Sequence, residues 1–467
     1  MPELEPTLAA LERGFERTLA ELCELSRVPG VSAHGFDPAE VARSGERVAE
    51  ALRGAGLDKV EILTLPAAHP YVVGEWLGAG PEATTVLIYA HHDVQPAGRE
   101  GRWESPPFEP TLREDGRLYG RGVVDDKAGL MLHLAAVRAW LEACGELPTN
   151  VKLIVEGEEE IGSPHLAEFL RAHRERLDAD VIILSDTANL ETGLPSLTTS
   201  LRGLVTVDVT VRALDHPLHS GMWGGPVADT ATCLIRLLAR LTDDRGVIRV
   251  PGIYDDVDPL DASERQRLAR LPFDAARFRA DAGLLCDAEL SGESEYSVWE
   301  RLWWRPSLAL TALEGVPLRG AANQLMDVAR ARVSLRLAPG QDPGRAARLL
   351  CEFLQRDPPA GVRVETELAA AVAGWRTEPA GPAFDAARRA LAAGFERQPV
   401  EIGCGGSIPF VAPFSEVLGG VPALLLGLED PVCNAHGENE SLHLEDFRRA
   451  ARSSVRLLME LASLSRP

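Results

Sequence analysis

Thr85–Asp93 reads TVLIYAHHD. A short, continuous apolar run is followed at once by two imidazoles and a carboxylate. A run of this length with no polar alternation reads as a strand buried on both faces, the kind found in parallel sheets covered by helices. The pattern recurs along the chain. Val151–Val155 (VKLIV) leads into EGEEE, which ends in Glu158, Glu159 and Glu160. Val181–Leu184 (VIIL) leads into Ser185 and Asp186, and Ala423–Leu426 (ALLL) is followed ten residues later by His436. Helical patterns occupy residues 5–27, 39–55 and 126–144. The expected fold class is α/β, with a mostly parallel mixed sheet flanked by helices. In open α/β sheets ligands bind beyond the carboxyl ends of the strands, so four strand ends that carry His, Asp or Glu predict one convergent site.

The middle of the chain reads differently. Residues 203–212 (GLVTVDVTVR) put Val205, Val207, Val209 and Val211 on one face. This period of two marks a half-buried antiparallel strand. Residues 307–313 and 328–337 read alike, 227–241 reads as a helix, and 250–305 form a helical, Trp-rich excursion in which Trp299, Trp303 and Trp304 are packing residues. An α+β domain over 198–378 is therefore expected as an insertion between two segments of the α/β domain, 1–197 and 379–467.

The 467 residues suffice for two domains. With 48 Lys and Arg against 70 Asp and Glu, the net charge is −22. Such a surface disfavours nucleic acid and anionic lipid as partners, and no apolar stretch is long enough to span a bilayer. The seven cysteines are scattered, without zinc-finger spacing, and read as reduced thiols in a cytoplasmic protein. A carboxylate-bearing substrate would need local positive charge.

Imidazole and carboxylate donors suit Zn, Mn or Co, and a pair of such ions needs a shared carboxylate with terminal ligands on either side. Asp125 and Asp126, at the start of the helix after the glycine-containing LYGRGVV, add two carboxylates. Each feature alone has a plainer explanation. His-x-Asp can be a surface turn, an Asp pair a helix N-cap, a Glu triplet a solvated face, His436 a loop residue. As a set, these explanations would have to coincide at four strand ends.

The motifs LIYAHHDVQP (87–96), YGRGVVDDKAG (119–129), VEGEEEIGS (155–163), SDT (185–187), PLHSG (217–221), GGSIP (405–409) and HGENE (436–440) also resemble, in order and across nearly the whole chain, the M20 metallopeptidases. The similarity leans to the cytosolic non-specific dipeptidase and carnosinase branch. The resemblance implies two divalent ions per subunit, Zn or Mn with Co as a further option. It implies His91 and Asp186 as terminal ligands of one ion, Glu160 and His436 of the other, and Asp125 as the bridging carboxylate, followed by a cis peptide bond. Asp93 would orient the His91 imidazole and Glu159 would be the general base, while Glu158 falls at a variable position and is read as solvated. His219 would reach the active site from the partner subunit of a homodimer and support the oxyanion. Arg336 would grip a substrate carboxylate, Asn323 would cross the dimer, and Ser407 would line the substrate pocket. The inserted domain would serve as lid and dimer interface. The implied function is hydrolysis of dipeptides with a free C-terminal carboxylate, by attack of a metal-bridging water activated by a Glu base. The nearest alternative is an N-acyl amino acid deacylase of the same fold. A phosphoesterase would want a more basic site, and a mere binding protein has no use for Glu159. His92 stands beside His91 and leaves open which imidazole is the ligand, although the His-x-Asp spacing favours His91. Gly403-Cys404 replaces an expected, often charged, pair. His34, His69, His133, His165, His173, His216 and His443 are read as structural or surface.

Overall fold

The computed structural model describes residues 3–315, 318–406 and 411–464. The described chain divides into two compact units. One runs to Thr199 and resumes over Glu378–Ile402 and the C-terminal part; the other takes Ser200–Thr377 and a short segment from Gly403.

The first unit is built on a mixed sheet. Its strands are β1 (Asp58–Leu63), β2 (Tyr71–Trp76), β3 (Thr85–His91), β4 (Asn150–Glu156), β5 (Val181–Ala188) and β6 (Ala423–Glu429), in spatial order β1-β2-β4-β3-β5-β6. β4, β3, β5 and β6 run parallel, and β1 and β2 are antiparallel at one edge. Ser196–Leu201 then pairs antiparallel with β6. Every residue of β3 is buried, as its unbroken apolar run requires of a strand covered on both faces. The longer helices are α1 (Leu4–Ser26), α2 (Pro38–Ala55), α3 (Lys127–Cys144), α4 (Pro382–Phe395) and α5 (Leu444–Leu461). α3 is buried from Lys127 to Trp140, as an all-round apolar sequence demands. Its partners include α1 and α5 through Leu22, Trp140, Phe447 and Val455. α2 starts on Asp37, whose carboxylate accepts from the Ala39 N–H, with Pro38 in the first turn, and stops at Gly56 in the left-handed region, an ordinary pair of helix signals.

β5 corrects the sequence reading in one respect. It continues to Ala188, so Asp186 lies on the strand and not beyond its end. The polar residues Ser185 and Asp186 hide a strand that apolar content alone stops at Leu184.

In the second unit four antiparallel strands stand in the order Ser307–Glu314, Val328–Leu337, Gly203–Arg212, Arg363–Val372. Val205, Val207, Val209 and Val211 are all fully buried on one face, under helices Thr230–Leu238 and Pro343–Gln355. The helix expected over 227–241 is confined to Thr230–Leu238, with Asp229 as its N-cap. In the aromatic excursion Trp299 stacks on Trp303 at 4.9 Å between ring centroids, and Trp303 and Trp304 are buried.

Candidate active site

The parallel strands of the first unit deliver their donors to one edge. His91 closes β3, opposite Glu156 at the end of β4. The next residues turn sharply, so that Glu159 and Glu160 sit in a short 3-10 turn. Asp186 projects from β5, Asp125 precedes α3, and His436 lies in the loop after β6 with φ +63°. The peptide bond between Asp125 and Asp126 is cis. Asp126 stands in the N-cap position of α3 yet makes no side-chain capping bond, so helix capping does not account for the acidic pair.

Two donor groups result. His91, Asp125 and Asp186 form one, and Asp125, Glu160 and His436 form the other; within each, one ligand atom per residue lies within 4.8 Å of the others. Asp125 belongs to both. His91 Nε2 is 3.0 Å from Asp125 Oδ1 and 3.8 Å from Asp186 Oδ2. His436 Nε2 is 3.0 Å from Asp125 Oδ2 and 3.2 Å from Glu160 Oε2. The ambiguity between neighbouring imidazoles has a geometric answer. Successive residues of a strand face opposite ways, and the ring of His92 turns away to the Pro70 carbonyl at 3.1 Å.

Asp93 ties the groups together. His91 Nδ1 lies 3.1 Å from the Asp93 backbone carbonyl and 3.4 Å from its carboxylate. The same carboxylate accepts from Ser32 Oγ at 2.6 Å and from the backbone N–H groups of Glu159 (3.2 Å) and Glu160 (3.1 Å). An imidazole so held presents Nε2 to the donor groups, which is how a carboxylate orients a metal-binding histidine. Glu159 belongs to neither donor group. It shares the field of Glu160, Asp125 and Asp93.

The electrostatics mark a place prepared for cations. Burial, reinforced by neighbouring carboxylates, pushes Glu159 and Asp186 well above the ordinary range. Burial also opposes ionisation of Asp125, but hydrogen bonds from His436 and His91 outweigh it and hold Asp125 low. His436 is pushed up to about 11 by its bonds to Asp125 and Glu160. Two imidazoles stand against the carboxyl groups of Asp93, Asp125, Glu159, Glu160 and Asp186, an excess of acidic donors that a divalent cation would offset. Nitrogen and carboxylate oxygen without thiolate is the donor set of Zn, Mn or Co, so the residues fit divalent ions.

Several neighbours went unassigned from sequence. Glu158, read as solvated, is buried. Its carboxylate accepts from the His69 N–H at 2.9 Å and the Tyr71 hydroxyl at 3.3 Å and lies 3.0 Å from His165 Nδ1. Glu156 is also buried, accepts from Tyr89 and Ser163, and is pushed up to about 8 by burial. Gln95 grips Glu160 through its backbone N–H at 3.1 Å and its amide at 2.7 Å. His165 is a partner of Glu158, His133 bridges Ser185 and Ser454, and His443 caps α5.

The remaining candidates lie in the second unit. His219 pairs with Gln324 in a two-stranded ribbon, and its Nδ1 accepts from the Gly221 N–H at 3.1 Å. The carbonyl of Asn323, next along the ribbon, accepts from the Ser220 N–H at 2.9 Å. Arg336 is half-buried on strand Val328–Leu337, opposite Leu204 on one side and Ser307 on the other. Burial lowers its proton affinity and the nearby Cys404 raises it. Ser407 lies outside the described residues.

Residues 87–460 match the sequence pattern of peptidase family M20/M25/M40, and the chain belongs to that family. It is a metal-dependent hydrolase of the M20 type. Among its relatives, a cysteinylglycine-S-conjugate dipeptidase of Corynebacterium striatum is 32% identical, over 95% of both chains. The Cys-Gly metallodipeptidase dug1 of Schizosaccharomyces pombe is 30% identical over 99% of both. Among solved structures, the dipeptidase Dug1p from Saccharomyces cerevisiae superposes with a TM-score of 0.88 at 27% identity over the whole of both chains. Human carnosine dipeptidase 1 gives 0.88 at 26% identity, over 99% of this chain and 100% of the other.

Proposed function

We propose that the chain is a two-metal dipeptidase that cleaves the peptide bond next to a free C-terminal carboxylate. The observation that carries this reading is the pair of donor groups sharing Asp125, with Glu159 beside both and committed to neither. The dipeptidases among its relatives support the substrate class. His91 and Asp186 would hold one ion, Glu160 and His436 the other, with Zn or Mn as the candidates and Asp125 between them.

Bound divalent ions supply two things here, acidification of a water and polarisation of the scissile carbonyl. The chain's own residues do the rest. Glu159 takes the proton of the attacking water. The hydroxide adds to the carbonyl carbon and its π electrons move to oxygen. Glu159 then passes the proton to the leaving amine as the C–N bond breaks. Asp93 keeps His91 in one orientation throughout. His219, donated by a second copy of the chain, supports the oxyanion. Arg336 pairs with the substrate carboxylate, and Asn323 assists across the same dimer. Residues 198–378 act as lid and dimerisation domain.

The test is hydrolysis of a panel by metal-loaded protein, with Cys-Gly, β-alanyl-histidine and several other dipeptides beside N-acetyl and N-succinyl amino acids. Dipeptide turnover that a chelator abolishes is the expected result. Turnover of the acyl amino acids alone would overturn the substrate class and make the chain a deacylase.

A further inference from the structure

The segments that carry the second donor group meet at one buried ion pair. Arg121 and Glu440 are 1% and 0% exposed, and Arg121 Nη1 donates to Glu440 Oε2 at 2.6 Å. The other terminal nitrogen of Arg121, Nη2, donates to the carbonyls of Pro96, His436 and Gly437, each at 3.1 Å. Glu440 accepts from the backbone N–H groups of Gly122 (3.1 Å), Val124 (3.2 Å) and Asp125 (3.4 Å). One guanidinium and one carboxylate thus fasten the chain at and just after His436, the approach to Asp125, and Pro96. Pro96 follows Gln95, the residue that grips Glu160. His436 and Asp125 meet this pair directly and Glu160 is tied to it through Gln95 and Pro96, so the two donors that belong to this group alone, Glu160 and His436, both depend on it. In the other group, His91 and Asp186 sit on β3 and β5 and are held by the sheet ladder.

We infer that Arg121 and Glu440 are positioning residues for one of the two metal sites, the Asp125–Glu160–His436 site, and set its affinity apart from that of the other. The inference rests on the two-ion reading above. His436 explains why such a device is needed. It sits in a loop, with its side chain 58% exposed and its backbone at positive φ, so no strand or helix fixes its direction. A buried arginine bonded to three carbonyls and a carboxylate supplies that rigidity. Lysine cannot copy it, because an ammonium lacks the planar fork.

The experiment compares wild type with Glu440→Gln and Arg121→Lys. Each is stripped of metal, titrated with Mn²⁺ or Zn²⁺ alone against a competing chelator dye, and followed through thermal unfolding in the metal-free state. Wild type is expected to bind two ions. Each variant should keep one ion at close to wild-type affinity and bind the other about 10–100-fold more weakly, the usual cost of removing a group that orients a ligand. Raising the metal concentration should refill the weakened site and restore kcat, with KM for dipeptide little changed at saturating metal. The Arg121→Lys variant preserves charge, so it guards against a Glu440→Gln protein that fails to fold. Two ions bound as tightly as in wild type would overturn the inference. So would equal weakening at both sites, or a loss that tracks a lower unfolding midpoint of the metal-free protein. A wild type that binds fewer than two ions would instead overturn the two-ion reading itself, and the positioning role with it.

Discussion

Asp125 carries the heaviest demand of any residue, since one oxygen lies 3.0 Å from His91 and the other 3.0 Å from His436. Removing it takes a ligand from both donor groups at once. Asp125→Ala should therefore lose both ions, whereas Asp186→Ala should lose one. Elemental analysis of the purified proteins checks this, and full occupancy in Asp125→Ala would contradict a shared ligand. His133 makes a separate prediction. It is fully buried, between Ser185 Oγ at 3.0 Å and Ser454 Oγ at 2.8 Å, and burial pushes it down to about 3. In the unfolded chain it would titrate near the ordinary value of about 6.5. The unfolded state then binds the extra proton between these values, so stability is complete above about pH 6.5 and falls as the pH drops toward 3. The contribution approaches about 1.4 kcal/mol per pH unit for one proton. Urea unfolding of wild type and His133→Gln from pH 7 to pH 4 should show a shallower slope for the variant; parallel slopes would contradict it.

At the scale of elements, residue type and period carried the sequence reading some way, and distance limited it. Thr85–Ala90 and the valine alternation of 203–212 declare themselves because each strand's burial is written in its own residues. The donor-type residues at the strand ends are legible for a similar reason: His91, Asp93, Glu159, Glu160 and Asp186 stand next to apolar runs. The burial of Glu158 is not legible, because EGEEE contains nothing of Tyr71, 87 positions away. Arg121 and Glu440 lie inside the motifs YGRGVVDDKAG and HGENE, yet their pairing spans 319 positions. Close approaches of elements are equally silent in sequence. Gly394 in α4 faces α5 so closely that a Cβ there would stand 2.1 Å from Ser453 Oγ and 2.7 Å from its backbone nitrogen. Gly394→Ala must therefore push the two helices apart. Overpacking of this kind costs about 1–3 kcal/mol, although alanine is the better helix former. A lower midpoint in urea unfolding is expected, and an unchanged or higher one would mean that the helices have room to move.

For the molecule as a whole, the net charge of −22 leaves substrate capture to local positive charge, and both the ions and Arg336 would supply it. No helix among the described residues is long and apolar enough to cross a membrane. The assembly is where the proposed function is most exposed to experiment. If His219 serves the active site of a second copy, then His219→Asn and Glu159→Gln each spoil every site of their own homodimers. A mixed dimer has one site with both residues intact. Mixing the two inactive proteins under conditions that exchange subunits should recover about a quarter of wild-type turnover, from statistical pairing of equal amounts (one intact site in half of the dimers). No recovery, with exchange verified by differently tagged subunits, would contradict donation across the dimer.

In the proposed mechanism Glu159 is the base that moves the proton, while His91, Asp125, Glu160, Asp186 and His436 would hold the ions. Its most direct test is the dipeptide turnover of Glu159→Gln, measured after metal analysis has matched its ion content to that of wild type. Glutamine keeps the shape and cannot accept the proton, so a loss of about 10²–10⁴-fold in kcat is predicted, the usual worth of a general base. Turnover near the wild-type rate with both ions bound would contradict it.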